Sequence, residues 1–259
     1  MKPEVKETIV EWLKSYITAT ACHGFVVGVS GGIDSALTST LCALTGSPVV
    51  VVGMPIDQES GQLSRSQKHM DWLCEHYPNV SQKTIDLTTV WHTLRQTLDC
   101  NSHLAQANAQ SRLRMTALYG VANTENLLVA GTGNKVEDYG IGFFTKYGDG
   151  GVDLSPIADL LKSEVRELAA DLGVLHEIVV AIPTDGLWDD NRSDEDQIGA
   201  TYDELEWALA YYDQNGNLTP GLNARQKEVL EIYIQRHMGS RHKLELPPVC
   251  ELGHLLNTD

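Results

Sequence analysis

The stretch Gly24-Phe25-Val26-Val27-Gly28-Val29-Ser30-Gly31-Gly32-Ile33-Asp34-Ser35 decides the fold. Its first half is a short valine-rich run, with no polar face to turn to water, as a parallel strand buried on both sides requires. Two adjacent glycines end the run, and helical spacing follows over 34–44, with Gly46 and Pro48 as stop signals. The same alternation continues outward: a strand at 49–54, a helix over 62–76, a strand at 83–87, a long helix over 104–123 and a strand at 126–130. Strands recurring about every 25 residues with helices between them imply crossover units. The expected fold is therefore α/β: a Rossmann-like parallel sheet with helices on both faces. Ligands in such sheets bind beyond the carboxyl ends of the strands, here Ser30, Pro55, Leu87 and Gly131.

Past Gly131 the texture changes. Residues 132–151 are rich in glycine and polar side chains and read as irregular, and helices resume over 160–172, 197–212 and 223–237. The chain then reads as an irregular tail holding Pro247 and Pro248.

Composition bounds the function. At 259 residues, 42% apolar and 21% charged, the chain is expected to form one globular domain over 1–259. A net charge of −16 repels polyphosphate backbones and argues against a nucleic-acid partner. The charge is uneven, with ten acids and one base over 185–213 against five bases and two acids over 225–243. The acidic stretch reads as solvated helix faces, whereas the basic one could grip an anionic small molecule. No apolar run approaches the roughly 18 residues that cross a bilayer, and the first 24 residues lack a secretory apolar core, so no membrane partner and a cytoplasmic location are expected. Five cysteines, never paired as C-x-x-C, read as reduced thiols outside any disulfide or zinc framework.

The chemistry concentrates at Gly28-Val29-Ser30-Gly31-Gly32-Ile33-Asp34-Ser35. Glycines at a strand–helix junction let the backbone present N–H groups, and the following helix turns its positive end to the same point. Ser30 and Ser35 add hydroxyls. The plain alternative is a tight turn in which Asp34 or Ser35 merely caps the helix. Neither G-x-x-x-x-G-K-[ST] nor G-x-G-x-x-G occurs in the chain. A carboxylate, Asp34, beside a phosphate loop makes sense with a cation between the two.

That loop resembles the PP-loop of the ATP pyrophosphatases, which cut ATP between the α- and β-phosphates. Gly131-Thr132-Gly133-Asn134-Lys135-Val136-Glu137-Asp138 and the run Gly142-Phe143-Phe144-Thr145-Lys146-Tyr147-Gly148-Asp149-Gly150-Gly151-Val152-Asp153 follow in order. With Ser155-Pro156, Pro183-Thr184 and His242-Lys243, they resemble the ammonia-dependent NAD synthetases over most of the chain. The resemblance implies amidation of deamido-NAD to NAD with ATP, Mg²⁺ and ammonia, through an acyl adenylate, by a homodimer. It implies that Gly28, Ser30, Gly31, Gly32, Asp34 and Ser35 hold ATP together with Thr132, Lys162 and Thr184. Asp34 and Glu137 would hold the metal. Arg112, Lys146, Asp153, His242 and Lys243 would touch deamido-NAD, and Asp149, Lys162 and Asp153 would serve the chemistry, Asp149 by holding or deprotonating ammonium. The family often carries T-D-H-A-A-E where this chain has T-G-N-K-V-E, and one extra residue separates Glu137 from the G-F-F-T-K run. Another PP-loop ligase would share the loop but would not explain the G-F-F-T-K-Y-G-D-G-G run. A regulatory protein that binds ATP without turnover would be marked by loss of the metal carboxylates, whereas Asp34 and Glu137 are both present. For Arg112, Lys162 and His242 the plain alternative is an ordinary surface side chain.

Overall fold

A computed structural model describes residues 3–57, 60–99, 102–183 and 193–252. Four strands, β1 (Phe25–Gly28), β2 (Val49–Gly53), β3 (Val80–Thr84) and β4 (Leu128–Val129), form a parallel sheet in the order β3-β2-β1-β4. Phe25 is in register with Val49 on one side and Leu128 on the other, so β1 is central. The valine runs serve two cores because successive strand side chains point to opposite faces. Phe25, Val27, Val49 and Val51 pack on one face with Leu13 of helix α1 (Pro3–Thr18), Leu37 and Leu41 of α2 (Ile33–Ala43), and Met70 and Leu73 of α3 (Ser60–His76). Val26, Val50, Val52 and Val129 pack on the other with Met115, Leu118 and Val121 of α5 (His103–Glu125). At roughly 2 kcal/mol per fully buried aliphatic side chain, these two layers supply the main drive for the fold. Helix α4 (Thr88–Leu98) adds a satellite core through Trp91, Ile56 and Leu87.

The second half builds a different layer. One wide π turn (Lys135–Ile141) leads to α6 (Lys162–Asp171) and the short α7 (His176–Val179) and α8 (Asp194–Ile198), followed by α9 (Tyr202–Asn215) and α10 (Ala224–Leu244). Val136 and Ile141 of the π turn bury against Leu205 and Leu209 of α9 and Val229 and Tyr233 of α10. This core presses the π turn onto the carboxyl ends of the strands. Among the described residues no helix is long and apolar enough to cross a membrane.

The α/β, Rossmann-like architecture expected from the sequence is the one observed, with several boundaries displaced. The edge strand runs over Val80–Thr84, not 83–87; all of it after Val80 is exposed, so its S-Q-K-T sequence carries no apolar signal. Ile85 and Leu87 still donate backbone bonds to Gly53 and Pro55, at 2.9 and 3.0 Å, which is why the apolar end looked like the strand. Residues 132–151 are not wholly irregular, since they contain the π turn, and 197–212 divides at Gly199 into α8 and α9. Helix α10 continues to Leu244, so His242 and Lys243 sit in its last turn and not in an irregular tail.

Candidate active site

The glycine turn sits at the carboxyl end of β1, one of the two inner strands. Gly31 has a φ of 88°, a left-handed conformation open to glycine and costly for other residues. Ser35 ties the turn together: its hydroxyl accepts from the Ser30 N–H at 3.2 Å and donates to the Gly32 carbonyl at 2.9 Å. Gly32 is the N-cap of α2 and donates its own N–H to the Ser30 hydroxyl at 3.2 Å, and among the described residues no side chain caps the N–H groups of the first helical turn. Neither Asp34 nor Ser35 is the cap: both lie inside the helix that Gly32 caps, and the Ser35 hydroxyl bonds within the turn.

Asp34 Oδ1 accepts from Asn134 Nδ2 at 2.9 Å, and its Oδ2 accepts from Lys162 Nζ at 2.7 Å. The same ammonium donates to Glu137 Oε1 at 2.7 Å. Lys162 is only 2% exposed, which excludes the surface-lysine alternative. Burial alone would lower its pKa, but the Asp34 and Glu137 carboxylates outweigh it and hold the ammonium above the ordinary lysine range. Asn134 organises the pair from below: fully buried, it caps the π turn, accepting from the Val136 and Glu137 N–H groups at 3.1 and 3.0 Å while its amide holds Asp34.

The departure at position 133 also has a local explanation. A Cβ on Gly133 would meet Asp138 Oδ2 at 2.0 Å, so the Asp138 carboxylate lies where a side chain at 133 would stand. Burial first, then the charges of Asp149, Glu137 and Asp34, raises the Asp138 pKa well above the usual carboxylate range.

Two cavities meet over this cluster. The larger, about 670 Å³, is walled by Gly28, Met54, Arg112, Arg114, Lys146 and His242 among others. The smaller, about 220 Å³, is walled by Gly32, Asp34, Glu137, Asp138 and Lys162. Ser30, Ser35, Thr132, Phe143 and Asp149 line both. Asp149 Oδ1 accepts from the Ser111 hydroxyl at 2.6 Å and the Thr145 N–H at 3.0 Å. Desolvation nonetheless lifts its pKa above the usual range against these bonds.

Cationic groups rim the larger cavity. Arg114 donates to the Met54 carbonyl at 3.0 Å, and burial lowers its guanidinium to about 10 against the opposing charge of Asp149. Arg236 lines it too, held to the Gln197 carbonyl at 2.8 Å. Lys243 donates to the Gly142 and Phe144 carbonyls at 2.7 and 2.8 Å, and Lys146 donates to the carbonyls of His242 and Glu245. The two lysines thus clamp the end of α10 onto the glycine-rich loop while lining the cavity. Among the expected residues that are described, Gly31 and Asp153 line neither cavity. The Asp153 carboxylate accepts from the Val129 N–H at 2.8 Å and the Tyr119 hydroxyl at 2.9 Å. Its visible work is at the β4 edge, because that short strand leaves an N–H to satisfy. Thr184 lies outside the described residues. Asn134 and Asp138 lie in the run from Gly131 to Asp138 but the motif gives them no role, and Arg114 and Arg236 belong to no quoted motif, so their partners in the fold are what reveal these four.

The donor set suits Mg²⁺. Two carboxylates converge on one cationic point beside a loop that presents N–H groups to phosphate, and Mg²⁺ is held by one or two carboxylates plus substrate phosphates. Among the described residues no three acidic, His or Cys side chains make a metal cage by themselves.

A glycine turn at the end of a parallel strand, backed by paired carboxylates and a buried lysine, is the layout of an α/β nucleotide site. The NAD synthase family model matches residues 5–247, and the chain belongs to that family. It is 36% identical to the NH3-dependent NAD⁺ synthetase of Archaeoglobus fulgidus, with 98% of each chain covered. It is 38% identical to that of Syntrophomonas wolfei, covering 96% of this chain and 97% of the relative. The solved structure of NMN synthetase from Francisella tularensis superposes with a TM-score of 0.83 at 32% identity, covering 95% of this chain and 97% of that one.

Proposed function

We propose that this chain amidates deamido-NAD with ammonia and ATP, giving NAD, AMP and pyrophosphate through an acyl adenylate. The observation that carries the reading is the junction of the two cavities at Ser30, Thr132 and Asp149, directly over the Asp34–Lys162–Glu137 cluster, in a member of the NAD synthase family. The smaller cavity suits the ATP phosphates: Ser30, Gly32 and Ser35 on its wall offer backbone and hydroxyl donors, Thr132 lines it with them, Lys162 supplies a fixed cation, and Gly31 joins the set by the family motif. Thr184 belongs to the same set by the family motif. The larger cavity, with Arg112, Arg114, Lys146, His242 and Lys243 on its wall, suits the anionic dinucleotide.

The acceptor's nicotinate oxygen attacks the α-phosphorus and the α–β bridge breaks, releasing pyrophosphate. Lys162 and the loop N–H groups offset the charge that builds on the leaving phosphates. Mg²⁺ held by Asp34 and Glu137 would neutralise the rest of that charge. Ammonia then adds to the adenylate carbonyl, and AMP departs with the C–O electron pair. Asp149, which lines both cavities, takes a proton from ammonium before the attack. The Phe143 and Phe144 segment excludes water, which would otherwise hydrolyse the adenylate. We propose a cytoplasmic homodimer as the working form and one catalytic unit over 1–259, both in keeping with the family resemblance.

A second acceptor is favoured by the Francisella likeness: nicotinic acid mononucleotide, which carries the same carboxylate and would yield NMN. Comparing kcat/KM for deamido-NAD and the mononucleotide on purified protein decides between them. The dinucleotide reading requires the larger value for deamido-NAD; a reversed ratio overturns it.

A further inference from the structure

The Glu137 carboxylate is held by more than its lysine. Its Oε1 accepts from Lys162 Nζ at 2.7 Å and also from the Tyr202 hydroxyl. Among the described residues no hydrogen bond is made by Oε2, and Glu137 lines the smaller cavity. Tyr202 opens α9 and is 1% exposed. Its ring lies under the Lys162 ammonium at 5.0 Å and under the Arg166 guanidinium at 5.5 Å. Its backbone N–H donates to Glu195 Oε1 at 2.9 Å, and its hydroxyl stands 3.4 Å from Asp194 Oδ2.

Lysine is a compact charge on a flexible stem, so one ammonium fixes a carboxylate at a point and leaves its plane free to turn. A second, directional donor on the same oxygen removes that freedom and leaves the other oxygen as the one offered to the cavity. The ring adds to this by seating the ammonium against its negative face. Tyr202 also packs in the second core with Leu205 and Tyr233, and a core phenol needs only some acceptor. What sets it apart is the acceptor it has: the very oxygen that binds the buried lysine.

We propose that Tyr202 is a positioning residue for the reaction proposed above: its hydroxyl sets the plane of Glu137 and its ring face seats Lys162. The inference rests on that reading, and the experiment separates the two. Tyr202→Phe keeps ring and packing and removes only the hydroxyl; Tyr202→Leu removes both. Wild type and variants are compared for kcat, for acceptor KM, for melting temperature, and for Mn²⁺ binding by calorimetry with α,β-methylene-ATP present. Tyr202→Phe is expected to lose on the order of tenfold in kcat and in Mn²⁺ affinity, the scale for groups that orient a metal ligand, with acceptor KM within about twofold. Tyr202→Leu is expected to lose at least as much. Wild-type kcat and Mn²⁺ affinity in Tyr202→Phe overturn the proposal. So does a variant whose activity falls only with its folded fraction while Mn²⁺ affinity per folded site is unchanged. A wild type that binds Mn²⁺ but makes no NAD would instead defeat the functional reading, and the Mn²⁺ comparison would still decide Tyr202.

Discussion

Replacing Lys162 by methionine keeps the length of the side chain and removes one charge. In the structure that charge lies 2.7 Å from both Asp34 Oδ2 and Glu137 Oε1, whose side chains are 18% and 14% exposed. At an effective dielectric of about 20, each contact is worth roughly 6 kcal/mol of gross attraction. Desolvation of the three ions offsets several kcal/mol per ion, so the net worth of the cluster is far below the gross sum. Removing the cation alone leaves two carboxylates facing one another, and that asymmetry sets the expected loss at about 3–5 kcal/mol. For a chain of this size it corresponds to a fall of roughly 10 °C in melting temperature. Because the lost partner is a cation, Mg²⁺ with ATP should restore more stability to Lys162→Met than it adds to wild type. Turnover should fall on the order of a hundredfold or more, as when a preorganised charge-stabilising donor is removed. Thermal melts with and without Mg²⁺–ATP, alongside a pyrophosphate-release assay, read both effects. A variant that melts with wild type and turns over within about threefold of it would refute the reasoning.

Asp149→Asn should lower kcat/KM for ammonium on the order of a hundredfold while leaving ATP–pyrophosphate exchange within about threefold, since the adenylation half-reaction does not need the proton acceptor; equal losses in both would remove Asp149 from the second step. Gly133→Asp should clash with the Asp138 carboxylate and cost on the order of tenfold or more in turnover, and adding Asp138→Ala should recover most of it; additive losses in the double variant would show that the two positions do not share one space. His69 is buried against Ser39, and burial lowers its pKa from 6.5 to about 4. The unfolded chain then binds the extra proton between those values, so its contribution is full above pH 6.5 and falls away, by about 3 kcal/mol, as pH drops toward 4. Melting curves of His69→Leu should show a shallower acid loss than wild type, and an identical loss would refute the assignment.

The sheet and its phosphate turn are legible in the sequence because their signals are local. An unbroken valine run needs two apolar faces, and S-G-G-x-D-S directly after it fits few purposes. Glu137 and Lys162 are reached only through resemblance, since 128 residues separate Asp34 from the lysine that bridges it and spacing carries no trace of the contact. Asn134 and Tyr202 escape for the same reason: each reads locally as a cap or a core residue, and its role appears once the second core presses the π turn against the sheet. Helix α10 misleads in a different way. The spacing carries a helix only over 223–237, yet Ser240 beyond it is buried and its hydroxyl folds back on the Arg236 carbonyl at 2.7 Å, so the helix continues. The acidic stretch reads in the sequence as solvated helix faces. In its described part several acids are in use: Glu204 pairs with Arg225 at 2.7 Å, Asp196 caps at Ser193, and Asp194 abuts Tyr202. Asp153 is reached only by motif, and its place in the fold shows a contact the motif does not give: its carboxylate accepts from the Val129 N–H at the sheet edge.

The central claim, that this site amidates by way of an adenylate, is tested most directly by a product balance. Purified protein is given ATP, Mg²⁺, deamido-NAD and ammonium, with the acceptor labelled by ¹⁸O in its carboxylate, and the products are weighed by mass spectrometry. The account predicts NAD, AMP and pyrophosphate in equal amounts, with one ¹⁸O per turnover carried into AMP. ADP and phosphate as the stoichiometric products, or AMP without the label, would contradict it.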